Sequence, residues 1–402
     1  MGLGGILQGL HWRSAAALSG QAETESKLRA ANEEIAMLKR ENESLRSLAQ
    51  GGGEVSVPRA LIERVEKETE LKFLSNPVVH RIAAEELRDR VAAALESRFG
   101  PSGIDDRAEA FRLIGWLGAD DDLLAQLTSI RTVGAKGWFD DVTGEAWVTD
   151  RFNAENIPDQ AALVRLLVRI LLHQNFPPPP AYPGDDAARA REALHQGAAA
   201  GAEARFYAAN ARAIGFMPMT SNAEAEQLFA SLPAFIRGLT TFVATEGKGL
   251  ADTLHVQGSG KFQAAFRSPP QTTRAILIPS APAAAQGLLE MPATPEEPYL
   301  SESAGQLGLR LWLETSGDDG ISPHWKNDRY LLVPDGEASA AVVWDIELDS
   351  REAADKLESA ARERVNAIAA AQPKRHLAVS RPSPVRVRFL NAATEELLGK
   401  TK

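Results

Sequence analysis

Two arginines and a histidine recur at four-residue intervals in one apolar segment of the chain. Arg165, Arg169 and His173 lie within residues 159–176, a strongly apolar stretch that predicts a helix. Side chains four residues apart lie on one face of a helix, so the three would form a single row. Paired guanidiniums can bind a carboxylate or a phosphate through their planar forks, and an imidazole can ligate a metal. These residue types therefore indicate either anion binding or a histidine-based metal site.

The composition limits which other chemistry is available. The 402 residues include no cysteine and seven histidines. Disulfides, thiolate catalysis, iron–sulfur clusters and cysteine-based zinc sites are therefore excluded. Any metal site would have to be built from histidines and carboxylates.

The charge balance disfavours nucleic acid as a partner. Forty-four Lys and Arg stand against 54 Asp and Glu, which gives a formal net charge of −10 at pH 7. The region near the C-terminus is basic, but it lacks the interleaved aromatic residues on which bases stack. We therefore expect no nucleic-acid binding.

The hydropathy pattern predicts an α+β protein dominated by helices. Helices are predicted over residues 61–73, 78–99, 106–118, 159–176, 185–212, 232–251, 261–266 and 350–371. Residues 133–149 alternate in polarity around a turn-rich tip and predict a β-hairpin. Strands are predicted over residues 307–314, 329–334, 340–348 and 385–390. Trp312, Trp325 and Trp344 lie in or beside these strands and are predicted to be core residues.

Residues 1–20 are apolar but interrupted by polar side chains. No run reaches the ~20 residues that a membrane span needs, and the pattern of a signal peptide is not convincing. We expect a helix that is frayed or packed on a partner, with a membrane-surface anchor as the alternative. The cytoplasm is the default location and the cell envelope is the alternative.

Residues 21–50 carry a heptad repeat typical of a coiled coil. The a and d positions are Leu28, Ala31, Ile35, Leu38, Asn42 and Leu45. One Asn at an a position favours two parallel strands, and the g and e′ charges are complementary. We predict a parallel dimer, followed by a glycine-rich joint at residues 51–57. A single amphipathic surface helix and a coil with another protein are the alternatives.

Five segments follow one another in the body of the chain. They are VGAKGWFDDVTGEAWV (133–148), RLLVRILLHQNF (165–176), ALHQGAAAGAEARFY (193–207), FRSPPQTTRAILIP (266–279) and HWKNDRYLLV (324–333). In this order they resemble a bacterial metallopeptidase family of the zincin superfamily (HExxH, gluzincin-like). The resemblance covers roughly residues 70–365. It implies a zincin-like fold in which the second segment is the metal helix and the third carries a further ligand.

All the positions that would carry out the family's chemistry are replaced. In HExxH the two histidines hold Zn²⁺ and the glutamate activates the metal-bound water. The resemblance places Arg165 and Arg169 at the histidine positions, Leu166 at the glutamate and Gln196 at the third ligand. Arginine has no lone pair to give a metal, and leucine cannot accept a proton. The resemblance therefore implies the fold without the reaction, and we expect no enzyme activity.

Two arginines at the position of a metal site carry positive charges that negative groups must balance. A buried unpaired charge costs several kcal/mol, so we expect carboxylates near the second helix to pair with them. The candidates are Asp185, Asp186, Glu192 and Glu203. The alternative is that Arg165 and Arg169 bind an anion in the old cleft. An acidic partner within hydrogen-bonding reach of both guanidiniums would exclude this alternative.

A relocated metal site is a further alternative. If the two helices pack as the resemblance implies, His173 and His195 approach each other and could bind a metal together with Asp185 or Glu192. A histidine near a helix end is more often a hydrogen-bonded structural residue. We therefore expect no metal and no other cofactor.

The chain divides into five parts. These are an apolar segment (1–20), a coiled coil (21–50), a joint (51–57), a degenerate metallopeptidase-like domain (58–372) and a C-terminal strand and tail (373–402). We expect a catalytically inactive, dimeric binding or scaffold module with a protein or peptide partner. Its cleft could still hold an extended peptide. The alternatives are an active peptidase with a non-standard site and a structural subunit of an envelope or membrane-associated assembly.

Overall fold

The fold is taken from a computed structural model. It describes residues 28, 35, 53–99, 103–214, 222–281, 289–292, 294, 296–314, 320–336 and 339–400. The chain divides into a unit Met1–Glu54 and a unit Val55–Lys402. In the first unit Leu28 and Ile35, two of the predicted a positions, are helical and exposed in the single chain. Residues 1–20 and the other predicted dimer positions, Ala31, Leu38, Asn42 and Leu45, lie outside the described residues, so the coiled coil stays a prediction.

Helices dominate the second unit, and the α+β class is confirmed. In chain order they are α1 (Arg59–Thr69), α2 (Ala84–Phe99), α3 (Gly103–Ile114), α4 (Leu123–Thr132), α5 (Ile157–Asn175), α6 (Asp185–Ala209), α7 (Ala211–Ile214), α8 (Ala223–Ser231), α9 (Ala234–Phe242), α10 (Lys248–Val256), α11 (Ser259–Arg267), α12 (Arg274–Leu277), α13 (Gly305–Leu313), α14 (Arg351–Ala371) and α15 (Glu395–Lys400). A π-helical segment, Val243–Gly247, joins α9 to α10. None of the described helices is both long and apolar enough to cross a membrane.

The strands form two sheets. They are β1 (His80–Ile82), β2 (Gly137–Phe139), β3 (Ala146–Thr149), β4 (Leu300–Glu302), β5 (Trp325–Pro334), β6 (Ala340–Leu348), β7 (His376–Ser383) and β8 (Arg386–Ala392). The small sheet has the order β1-β3-β2, with β1 parallel and β2 antiparallel to β3. The large sheet is antiparallel, with the order β4-β5-β6-β8-β7. Each sheet packs on helices through its own hydrophobic core.

The predicted hairpin at residues 133–149 is confirmed as β2 and β3, which pair antiparallel. Ala146 and Val148 are buried in the core that contains α5, and Trp147 is buried in the core that contains α2. The strand predicted over residues 307–314 is wrong, since this segment is the helix α13. Leu307, Leu309 and Leu311 are all buried, so the helix has apolar residues on more than one face. Its sequence therefore lacks the 3.6-residue hydrophobic period that would indicate a helix. Trp312 is a core residue as predicted, but it lies in this helix.

Two further differences concern segment boundaries. Residues 80–82 form the strand β1 where a helix is predicted, because they pair in parallel with β3. Residues 373–402 hold two strands, β7 and β8, and a short helix where one strand and a tail are predicted. β8 pairs directly with β6, so this segment completes the large sheet of the same body.

Candidate functional site

A cleft of about 530 Å³ lies beside the small sheet. Its walls come from β2 and the turn that follows it, from α2, α4, α5, α6 and α9, and from the π-helical segment. α5 and α6 form its floor, and α6 is rich in alanine and glycine, which allows its backbone to approach other helices closely. A Cβ atom on Gly197 would lie 2.2 Å from the carbonyl oxygen of Gly247 in the π-helical segment. Two helical backbones are therefore in direct contact beside the cleft.

The four positions that the resemblance singled out converge on this cleft. Arg165, Leu166, Arg169 and Gln196 all line it. Arg165 donates hydrogen bonds to Gln196 Oε1 (3.1 Å) and to Glu203 Oε2 (3.2 Å). Arg165 and Gln196, 31 positions apart in sequence and on different helices, thus meet in the lining of one cleft.

Each of the two arginines has an acidic partner. Arg165 pairs with Glu203, which was among the predicted candidates. Arg169, only 3% exposed, forms an ion pair with Asp141 at the tip of the hairpin, a partner that the sequence does not suggest. Because both guanidiniums are held by carboxylates, anion binding by the Arg165–Arg169 pair is excluded by the condition set above. Compensation within the protein is the better interpretation of these two residues.

The other candidate partners bind elsewhere. Asp185 pairs with Arg107 (2.9 Å), and Asp186 accepts hydrogen bonds from Thr273. Glu192 pairs with Arg131 (3.3 Å) and Arg189 (3.2 Å). The prediction that Asp185, Asp186 or Glu192 pairs with Arg165 or Arg169 is therefore wrong, because Asp141 reaches Arg169 from the hairpin.

The electrostatic environment differs between the two ion pairs. Burial raises the pKa of Glu203, and the charge and hydrogen bond of Arg165 offset this only partly. Burial also acts on Asp141, but the charge and hydrogen bond of Arg169, together with Arg98 and Arg131, lower its pKa below the usual range. Asp141 therefore stays ionised more readily than Glu203.

The two histidines do not form the relocated metal site. The His173 ring packs edge-on against Phe139 (5.7 Å between centroids), and burial lowers its pKa. His195 is buried against Phe266 (5.0 Å), and burial lowers its pKa well below the usual value. Neither histidine lines the cleft. Among the residues with described positions, no group of three or more His, Asp or Glu side chains is arranged to hold a metal ion.

Three arginines that sequence reasoning missed lie at the inner end of the cleft. Arg98, Arg131 and Arg189 line both the cleft and a smaller adjoining cavity of about 60 Å³. They come from α2, α4 and α6, and α4 was not predicted as a helix at all. The sequence contains no spacing that relates them, because each lies on a different element. Only the packing of the three helices brings them together.

The strand β2 supplies the opposite wall. It is an edge strand of the small sheet, and Gly137, Trp138 and Phe139 line the cleft. Within the described part of the chain, the main chains of Gly137 and Phe139 are not hydrogen-bonded to any element other than β3. The cleft therefore presents an open strand edge next to a row of arginines.

Comparison with known proteins identified no relative of this chain. No protein-family model, no curated protein and no solved structure matches the chain. The likeness to zincin metallopeptidases accordingly depends on the five sequence segments alone.

Proposed function

We propose that this protein is a binding module whose cleft takes up an extended peptide without hydrolysing it. The observation that carries the proposal is the open edge of β2 inside a cleft of about 530 Å³. An extended peptide can add to such an edge as a further strand, with main-chain hydrogen bonds providing affinity and alternate side chains entering pockets. The zincin-like resemblance supports the same interpretation, because its substrates lie beside the metal helix.

The state of the carboxylates supports binding without turnover. Hydrolysis by this architecture needs a metal-activated water and a carboxylate that accepts its proton. In this cleft Glu203 and Asp141 are held by Arg165 and Arg169, and Glu192 is held by two further arginines. Asp140 Oδ1 accepts a hydrogen bond from the Val142 main chain. Every described carboxylate of the cleft is thus engaged by a partner within the protein.

We also propose that the cleft is presented on a dimeric stalk formed by residues 21–50. Two copies of one cleft on a stalk would raise the apparent affinity for a partner with repeated binding segments. An active peptidase with a non-standard site remains the runner-up. A subunit of an envelope or membrane-associated assembly, docking through residues 1–20, is the third interpretation.

A substitution that blocks the cleft tests the proposal directly. The immobilised full chain is incubated with a pool of random decapeptides, and retained peptides are identified by mass spectrometry. Ala200 lines the cleft and is half-buried, so Ala200→Trp should block the site and reduce peptide retention at least tenfold.

Ala367→Trp on the exposed face of α14 is the matched control and should retain peptides as the unmodified chain does. Equal retention by the Ala200→Trp variant would mean that the peptides bind elsewhere. Absence of retention by the unmodified chain would refute the peptide-binding proposal.

A further inference from the structure

We propose that the inner end of the cleft is a carboxylate-binding subsite, which makes the protein a receptor for acidic peptides. This inference depends on the proposed function, because it concerns a ligand that lies in the same cleft. The subsite consists of Arg98, Arg131 and Arg189, at the place where the cleft meets the smaller cavity. It is distinct from Arg165 and Arg169, whose charges are compensated within the protein.

Arg98 is the central residue of the subsite. Its guanidinium is half-buried and lies 5.6 Å from the ring centroid of Tyr182 and 5.7 Å from that of Phe99. It forms no hydrogen bond or ion pair with any residue that the structure describes. Its five N–H groups therefore have no acceptor from the described protein, although two aromatic rings hold the group in the cleft.

Arg131 and Arg189 add to this positive charge. Both contact Glu192, at 3.3 and 3.2 Å, so a single carboxylate serves two guanidiniums while Arg98 stands nearby. Burial and the repulsion from Arg189 and Arg98 lower the pKa of Arg131 despite the attraction of Glu192. Burial acts to lower the pKa of Arg98, but Tyr182 and the carboxylates of Glu192, Asp141 and Asp185 raise it, so Arg98 stays charged. Asp141 and Asp185 are themselves paired with Arg169 and Arg107. The N–H groups of Arg98 therefore stay available to an incoming anion.

The neighbourhood indicates a carboxylate on a peptide. The arginine fork matches the planar geometry of a carboxylate and can bind it through two parallel hydrogen bonds. The adjoining cavity of about 60 Å³ has room for a few waters or one short side chain. The edge of β2 lines the same cleft, so a peptide paired with β2 could reach the subsite with an acidic side chain or with its terminal carboxylate. The arginines of the subsite are positive, although the whole chain carries a net charge of −10. We therefore attribute the preference for acidic peptides to the subsite and not to the overall charge of the protein.

The test compares two pools of random decapeptides on the immobilised full chain. One pool carries free C-termini and the other carries amidated C-termini. We expect retained amidated peptides to be enriched in Asp or Glu if a side chain enters the subsite. We expect the free-terminus pool to be preferred if the terminal carboxylate enters it. Either result supports the subsite and tells the two sources of carboxylate apart.

Arginine variants connect the selectivity to the subsite. Arg98→Ala should reduce retention of the selected peptides about tenfold to a hundredfold, the range for losing a charge-assisted hydrogen-bonded pair. The fold should persist, because Arg98 makes no hydrogen bond to the described protein. Arg88→Ala, an exposed arginine on the same helix, should change nothing.

The two proposals fail in different ways. Retained peptides without acidic enrichment or terminal preference, or unchanged selectivity in Arg98→Ala, would refute the subsite and leave peptide binding in place. If the unmodified chain retains no peptide from either pool, both proposals are refuted.

Discussion

The ion pair between Arg169 and Asp141 joins a buried cation to a half-exposed carboxylate. The side chain of Arg169 is 3% exposed and that of Asp141 is 42% exposed. The Arg169 guanidinium also lies over the Phe139 ring, at 5.2 Å. Removal of Asp141 leaves Arg169 buried without its carboxylate, whereas removal of Arg169 leaves Asp141 partly exposed and near the charges of Arg98 and Arg131. The two single substitutions should therefore have unequal effects.

Asp141→Ala should lower the free energy of unfolding by about 3 kcal/mol, because it leaves an uncompensated buried charge. Arg169→Met should cost only about 1 kcal/mol, because the remaining carboxylate is partly hydrated and the methionine keeps the apolar contacts. Urea denaturation measures both values. The double variant should be no less stable than Asp141→Ala alone, and equal costs for the two single variants would contradict this account.

Asp186 provides a second prediction at the residue scale. Burial raises its pKa from 3.8 to about 7, and the hydrogen bonds from the side chain and main chain of Thr273 offset this only partly. Its Oδ2 is buried and has no hydrogen-bond partner among the described residues. The folded state therefore holds a proton that the unfolded state releases between about pH 4 and pH 7, so this group's contribution to stability falls as the pH rises through that window.

Asp186→Asn should remove this pH dependence. The amide oxygen can still accept both hydrogen bonds from Thr273, while no charge forms at neutral pH. We expect the variant to gain stability relative to the unmodified chain as the pH rises from 4 to 7, by at most about 4 kcal/mol. Urea denaturation at several pH values gives this difference, and a constant difference across the range would show that Asp186 is ionised throughout.

At the scale of elements, α6 crosses the π-helical segment beside the cleft in direct backbone contact. The Cβ of an alanine at Gly197 would lie 2.2 Å from the Gly247 carbonyl oxygen, so the two backbones would have to separate. Gly249 is also in a helix, but a Cβ there would meet nothing within 4 Å. This pair of glycines separates the cost of a clash from the general effect of alanine on a helix.

Gly197→Ala should destabilise the fold by at least about 1–3 kcal/mol, the usual cost of overpacking. Gly249→Ala should stabilise it by about 0.5–1 kcal/mol, because alanine has the higher helix propensity. Thermal unfolding monitored by circular dichroism would show opposite shifts of the midpoint. Shifts of the same sign would mean that the two backbones are not in contact.

Helices and strands could be predicted from sequence where apolar residues recur on one face of the element. The hairpin β2–β3 and the long helices α5 and α6 follow from alternation and from apolar spacing. The helix α13 was predicted as a strand because its residues are buried all round. Its start is fixed by Asp328 on β5, which accepts hydrogen bonds from the main chains of Ala304 and Gly305 (2.9 Å each), a contact between distant segments.

The candidate site was predictable only in part, for a related reason. Arg165, Leu166, Arg169 and Gln196 could be predicted because they occupy motif positions on two helices, in the order that the resemblance implies. The partner Asp141 and the cluster of Arg98, Arg131 and Arg189 lie on separate elements. Tertiary packing alone creates such neighbours, and no local spacing encodes them.

At the scale of the whole molecule, the predicted stalk should determine the oligomeric state. Ile35 occupies an a position and is exposed in the single chain, so an aspartate there would place a charge in the seam of the coil. Ile35→Asp should convert a dimer into a monomer, whereas Met37→Asp at an outward c position should not. Light scattering after gel filtration gives the mass of each variant. A monomeric unmodified chain, or a dimeric Ile35→Asp variant, would contradict the stalk.

The arrangement of the cleft is compatible with the binding role that we propose. Carboxylates that could have taken part in hydrolysis are engaged by arginines, and the strand edge that could hold a peptide is open. A partner would then be captured by its backbone on one wall and by its acidic groups on the other.

The fate of a bound peptide tests this account most directly. The full chain is incubated with the decapeptide pool and Zn²⁺, and the peptides released from it are analysed by mass spectrometry. The account predicts that peptides are retained and recovered at full length. Cleaved products that disappear when a chelator is added would contradict it and would establish the protein as a peptidase.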